Sequence, residues 1–338
     1  MVMDLFELTR RLVGIESITG NECAAGEYLL ECLRPLAERF GGRLEPMEVE
    51  PGRFNVLATW GEPRLTFSTH YDTVPPHIPP REDENRIWGR GSCDAKGIAA
   101  AMIHAAAALL EEGVRGIALL FVVGEEKNSA GARAAARQGC GSKFLINGEP
   151  TENRLALGCK GALRYEITAT GKMAHSAYPE LGESAIEKLL DVLQELRRLP
   201  LPRDPVLGAG TLNIGTISGG RAPNVIPDLA AAEVMFRLVS DAAPLREAVR
   251  KACEGRAAAR EVLHIPPLRM RAVEGFPTTV VAFTTDIPEF GGAWGEPFLL
   301  GPGSIHVAHT SEEYVEKRQL VEAVQAYQSL ARRLLAGG

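Results

Sequence analysis

The run GIALLFVVGEE, residues 116–126, sets seven apolar residues in succession between Gly116 and the Gly124-Glu125-Glu126 ending. A strand exposed on one face alternates apolar with polar residues. An unbroken Val/Ile/Leu/Phe run instead predicts a strand buried on both faces, the habit of a parallel sheet sandwiched by helices. The surrounding chain repeats the pattern. Upstream, RLTFSTH (64–70) reads as a strand and AKGIAAAMIHAAAALLEEG (95–113) as an Ala-rich helix ended by Gly113. Downstream, SAGARAAARQG (129–139) is a short helix and SKFLINGEP (142–150) another strand. Two opening helices precede them, in MDLFELTRRLVGI (3–15) and AAGEYLLECLRPLAERFGG (24–42), the second stopped by Gly41 and Gly42. The fold class expected is α/β, a mostly parallel sheet with helices on both faces.

From about residue 161 the texture changes. GALRYEITATG (161–171) alternates, and the helix GESAIEKLLDVLQELRRL (182–199) follows. Then come strands TLNIGTISGG and DLAAAEVMFRLV, the helix APLREAVRKACEG, and the strand AAREVLHI. The order β-α-β-β-α-β predicts a ferredoxin-like α+β unit over 161–271, inserted into a larger domain formed by 1–160 and 272–338. EKRQLVEAVQAYQSLARRLL (316–335) is expected to close the larger domain as a helix.

Composition narrows the function. The 338 residues carry a formal charge of −6 and no Lys/Arg cluster, which argues against nucleic-acid or anionic-membrane partners. No apolar run reaches the length of a membrane span, and MVMDLFELTR lacks the basic start of a secretory signal. Six scattered cysteines without a CxxC pair suit reduced thiols. A cytoplasmic protein is expected.

Chemistry collects where the apolar strands stop. FSTHYDTVPP (67–76) ends a strand on His70 and Asp72, two positions apart and so on one side if extended geometry persists. Glu125 and Glu126 follow the second strand, and Glu149 follows the third. Parallel strands would converge these endings on one rim, where α/β sheets bind ligands. Asp94, in GRGSCDAKG, joins them at the start of the Ala-rich helix, although an Asp there is more commonly an N-cap. Carboxylates gathered in this way repel unless protons or cations neutralise them. Histidines and carboxylates without clustered cysteines form a donor set suited to Zn²⁺, Mn²⁺ or Co²⁺. GRGSCD only mimics a dinucleotide loop, because its sixth position is the anion Asp94. No P-loop or GxSxG elbow is present, and His77, His104 and His264 show no partner pattern.

Seven motifs follow one another in order: STHYDTVP, GRGSCDAKG, GEE, GEPT, GKMAHSAYPELGESAI, GGRAPNVIPD and GPGSIHVAHTSEEYV. Together they resemble the M20 metallopeptidase/deacylase family, over about residues 5 to 330. The resemblance implies two zinc ions. His70 and Glu149 would hold the first, Glu126 and His309 the second, and Asp94 would bridge them. Glu125 would be the general base, and Asp72 would hydrogen-bond the far ring nitrogen of His70. A cis peptide is implied at Asp94–Ala95. His309 is preferred to His306 because an acid, Glu313, follows it four residues later. The resemblance further implies that His175 donates to the oxyanion from a second subunit, that residues 161–271 form a lid and homodimer contact, and that Asn224, Arg237, Tyr178 and Thr285 touch substrate. Met235 departs from the pattern, since relatives usually carry Asp two positions before that arginine. Among subfamilies, GPGSIHVAHTSEEY looks most like the acetylornithine and acetyl-lysine deacetylases, so an N-acyl-L-amino acid is the expected substrate. A desuccinylase, a dipeptidase or carboxypeptidase, and a non-catalytic amino-acid or peptide binder are the alternatives.

Overall fold

The computed structural model describes residues 3–337. The chain divides into two compact units. One comprises the residues up to Leu157, Met270–Thr279 and those from Thr285 onward, and the other comprises Gly158–Arg269 with Val280–Thr284. The short return of 280–284 to the second unit has no counterpart in the boundaries read from sequence.

The first unit is built on a six-stranded sheet in the order Arg43–Glu50, Arg53–Trp60, Ile117–Val122, Leu65–His70, Phe144–Asn147, Glu296–Leu299. The last four run parallel. The first two form an antiparallel hairpin on one edge. That hairpin was not anticipated, because RLEPMEVE is charged, contains a proline and looks like surface chain; such residues suit an edge strand.

The seven-residue apolar run behaves as its composition requires. Ile117, Leu119 and Phe121 enter the large core with Phe67, Ile98, Met102 and Tyr327. Ala118, Leu120 and Val122 point the other way, into a second cluster with Met47, Leu57, Ala132, Leu145, Phe290 and Trp294. Both faces are dry, and burying each large side chain contributes about 1.5–3 kcal/mol. Helix Lys96–Glu111 lies in the large core and buries residues all round, which explains its alanine content: small side chains let it be enclosed by the sheet and its neighbouring helices.

The second unit has a four-stranded antiparallel sheet in the order Thr211–Gly219, Leu229–Leu238, Gly161–Thr170, Ala258–Ile265. Alternate residues Leu163, Tyr165, Ile167 and Ala169 pack with Leu189, Val192 and Leu196 of helix Ala185–Arg198 and with Val249 of helix Ala243–Cys253. This is the expected β-α-β-β-α-β unit. Among the described residues Thr211–Gly219 has a strand neighbour on one side only, and it leaves Ile217 exposed.

Candidate metal centre

The parallel strands of the first unit place their C-terminal ends on one rim. His70 is the last residue of Leu65–His70 and pairs with Val122, two positions before Gly124-Glu125-Glu126. Ser68 pairs with Asn147, two positions before Glu149. Register alone therefore brings His70, Glu125, Glu126 and Glu149 together. Asp94 comes in from the loop before helix Lys96–Glu111, where Ala95 occupies the N-cap position and no side chain caps the helix. The capping role is thus not the one Asp94 plays. The Asp94–Ala95 peptide is cis, as the resemblance implied.

Asp94 turns one carboxylate oxygen to each histidine. His70 Nε2 lies 3.0 Å from Oδ1, and His309 Nε2 lies 3.3 Å from Oδ2. Glu149 stands 4.0 Å from His70 Nε2, and Glu126 stands 2.9 Å from His309 Nε2. Two triads result, His70–Asp94–Glu149 and Asp94–Glu126–His309, each with its donor atoms within 4.8 Å of one another. Asp94 is common to both. Glu125 and His306 belong to neither. His309 adopts φ +64, a conformation few non-glycine residues take, and such strain tends to persist at functional positions.

The charges explain what the rim requires. Burial and the neighbouring Glu149 push Glu125 well above the usual carboxylate range. Burial and Asp94 do the same to Glu149 and raise Glu126 as well, with the nearby histidines opposing. His309 is raised to about 10 by Asp94 and Glu126. Burial works against the ionised form of Asp94, yet hydrogen bonds from His309 and His70 hold it below its normal value. Protein groups alone leave too much negative charge here, so the cluster must take up protons. Divalent cations would displace those protons and meet a nitrogen-and-oxygen donor set that fits them.

Asp72 faces His70 as expected and makes further contacts besides. The closer partner of His70 Nδ1 is the Asp72 backbone carbonyl at 3.0 Å, and the Asp72 carboxylate stands 3.5 Å away. Donation from Nδ1 leaves Nε2 as the face turned to Asp94 and Glu149. The carboxylate also accepts from Thr19 Oγ1 at 2.7 Å and from the backbone N–H groups of Glu125 at 3.1 Å and Glu126 at 3.3 Å. It therefore holds the Glu125-Glu126 turn as well as facing the imidazole.

Thr285 is buried, and its Oγ1 accepts from Ile287 N at 3.3 Å, bracing the short helix Ile287–Phe290. Its neighbour Asp286 escaped the sequence reading. Burial raises its carboxyl to about 7, with Ser129 opposing. A lone Asp in FTTD gave no signal, since its enclosure depends on how distant segments pack.

In the second unit, His175 is exposed and its Nδ1 accepts from Ala177 N at 3.1 Å. The neutral ring then carries its proton on Nε2, ready to donate. Tyr178 packs edge-on to it, with centroids 6.2 Å apart, and the Asn224 carbonyl accepts from Ser176 N. Arg237 lies in Leu229–Leu238 opposite Ala162 and Thr211. It is half-buried, has no ion-pair partner among the described residues, and is pushed below the ordinary arginine value by desolvation.

Comparison with known proteins places this geometry in a family. A model of peptidase family M20/M25/M40 matches residues 66–333, and the chain belongs to that family. It is an enzyme, a hydrolase of amide or peptide bonds. A peptidase M20 domain-containing protein of Schizosaccharomyces pombe is 38% identical over 97% of this chain and 84% of its own length. A protein of Aspergillus terreus named a probable carboxypeptidase is 38% identical over 95% of this chain and 84% of its own. Among solved structures, the aminopeptidase PepT of Bacillus cereus superposes with TM-score 0.77 at 19% identity, covering 98% of each chain. A Bacillus subtilis protein described as a dinuclear metal-binding M20 peptidase gives 0.71 at 17% identity, covering 98% of this chain and 97% of its own. No helix among the described residues is long and apolar enough to cross a membrane.

Proposed function

We propose that this chain is a dinuclear metallopeptidase that removes a terminal residue from short peptides, acting as a carboxypeptidase or dipeptidase. The observation that carries this reading is the Asp94 carboxylate shared between two donor triads. His70, Glu149 and Asp94 would hold one divalent cation, and Asp94, Glu126 and His309 the other; zinc is the ion the resemblance implies, with cobalt and manganese compatible with the same donors. Bound there, two such ions would supply an acidified water and Lewis acidity toward the substrate carbonyl.

The chain's own groups do the rest. Glu125 stands outside both triads, with its N–H tied to Asp72, and would accept the proton of the attacking water and return it to the leaving amine. His175 is assigned by the resemblance to the developing oxyanion, and its Nε2–H tautomer suits donation. Arg237 is a half-buried cation without an ion-pair partner among the described residues, for which the free carboxylate of a peptide or amino acid would be the natural counter-ion. Replacing it by Met is expected to raise KM by about 10–100-fold, the worth of a charge-assisted hydrogen bond, with kcat little changed. Equal KM for Arg237→Met and wild type in steady-state assays would remove it from the substrate site.

A narrower reading, an acetylornithine or acetyl-lysine deacetylase, rests on the motif GPGSIHVAHTSEEY. The similar protein of Aspergillus terreus carries a carboxypeptidase name, which favours the peptidase. Both reactions break an amide of an amino acid with a free carboxylate, so a substrate panel separates them. Metal-loaded protein should release amine from dipeptides and not from acetylornithine, acetyl-lysine or succinyl-diaminopimelate. Turnover confined to the acylated amino acids would replace the peptidase reading with the deacylase.

A further inference from the structure

Glu313 belongs to neither donor triad, yet its carboxylate is fully enclosed beneath the loop that carries Asp94. Pairing explains how it arrives there. Strand Tyr314–Glu316 runs antiparallel to Arg86–Trp88, with Tyr314 opposite Trp88. One step further, Gly89 N donates to the Glu313 carbonyl at 3.0 Å. The side chain is thus delivered where the chain leaves its strand and turns through residues 89–94.

In that turn three backbone donors converge on one oxygen. Glu313 Oε1 accepts from the N–H groups of Gly91 at 2.9 Å, Cys93 at 3.1 Å and Asp94 at 3.1 Å. Gly91 has φ +86, and a Cβ there would lie 2.9 Å from the side chains of Lys96 and Thr73, so the turn closes only with glycine. The other oxygen, Oε2, accepts from Arg90 Nη1 at 2.5 Å. The same guanidinium donates through Nε to the Pro76 carbonyl at 3.3 Å. One buried ion pair therefore joins three segments: the chain leaving His70 and Asp72, the loop presenting Asp94, and the loop running from His309 to Glu313.

Asp94 has to face His70 and His309 at once, one oxygen to each. Only a narrow range of backbone positions allows that, since ligand sites tolerate errors of roughly 0.5 Å. Without Glu313 the three converging N–H groups would be buried and unpaired, and the turn would have to reorganise to satisfy them.

We propose that Glu313, locked by Arg90, is the positioning residue that sets the bridging Asp94 against His309 and thereby fixes the affinity for the cation between them. This rests on the dinuclear reading above. Glu313 touches no donor atom of either triad that an ion would use; it acts through the Asp94 backbone.

The test is titration of metal-free protein with Co²⁺, followed by visible absorption and metal analysis, alongside the thermal melting of each metal-free protein. Glu313→Asp keeps the charge but is one methylene too short to reach the three N–H groups. Arg90→Lys keeps the cation but loses the Nε link to Pro76. Both should bind the second Co²⁺ about 10–100-fold more weakly than wild type, with an altered absorption band, as expected when a residue supporting a ligand is removed. Glu313→Gln, which restores reach and one acceptor oxygen, should recover part of the affinity that Glu313→Asp loses. Wild-type affinity and spectrum in a folded Glu313→Asp or Arg90→Lys protein would overturn the proposal, and Arg90→Lys decides it alone if the Glu313 variants do not fold. Wild-type protein that takes up only one Co²⁺ would instead refute the dinuclear reading, whatever the variants do.

Discussion

Replacing Glu125 by Gln is expected to lower kcat by about 10²–10⁴-fold while the protein keeps its full complement of metal. Gln has the same shape as Glu but cannot take a proton, so the change isolates basicity from geometry. Three observations make Glu125 the position where that matters. It stands outside both donor triads, so an ion does not need it as a ligand. Its backbone N–H is fixed to Asp72 at 3.1 Å, and Asp72 also faces His70, which ties the base to the site it serves. Burial and the Glu149 carboxylate push its own carboxyl well above the usual range. Cations beside it would remove surplus negative charge and draw that value back down, toward the neutral region where a group both accepts and returns a proton efficiently. Steady-state kinetics with metal analysis of the same preparation are decisive. A Glu125→Gln enzyme that turns over as wild type would end its assignment as the base.

Removing the shared carboxylate should be more damaging still. Asp94→Ala is expected to empty both positions, taking bound metal from about two ions per chain toward none and activity to background. His309→Ala should release about one ion and retain the other. The asymmetry follows from connectivity: Asp94 lies in both triads, and His309 in one. It also follows from charge, because Asp94 is the carboxylate that both histidines hold ionised, whereas Glu126 and Glu149 are pushed toward protonation. Metal analysis after dialysis measures the difference. Equal stoichiometry in the two variants would mean that Asp94 does not bridge.

Much of the architecture was legible from local pattern. Seven consecutive apolar residues at 117–123 can be satisfied only between two dry layers, and they were found there. The second unit declared itself through alternation, visible in Leu163, Tyr165 and Ile167 facing the helices. The strand Arg43–Glu50 was missed because an edge strand needs no apolar signature, whereas Arg53–Trp60, paired on both sides, does carry one in its buried Val56, Leu57 and Ala58. Asp94 taken singly would be a helix cap, the commoner use of such a residue; its company among the strand-end acids pointed to a ligand instead, and Ala95 stands at the N-cap position. Glu313 was noticed as an acid at a fixed offset from His309, but its contacts with Gly91, Cys93 and Asp94 could not be read from that offset.

Local preference therefore determined which segments become strands and helices, and where polar residues end them, because burial and backbone periodicity act over a few neighbouring positions. Only tertiary packing decided which carboxylates become partners. Asp94 and His309 are more than two hundred positions apart, and nothing short of the folded sheet and its paired loops brings them to 3.3 Å. Asp286 and Glu313 acquired their enclosure in the same way, since desolvation is a property of surroundings assembled from distant chain.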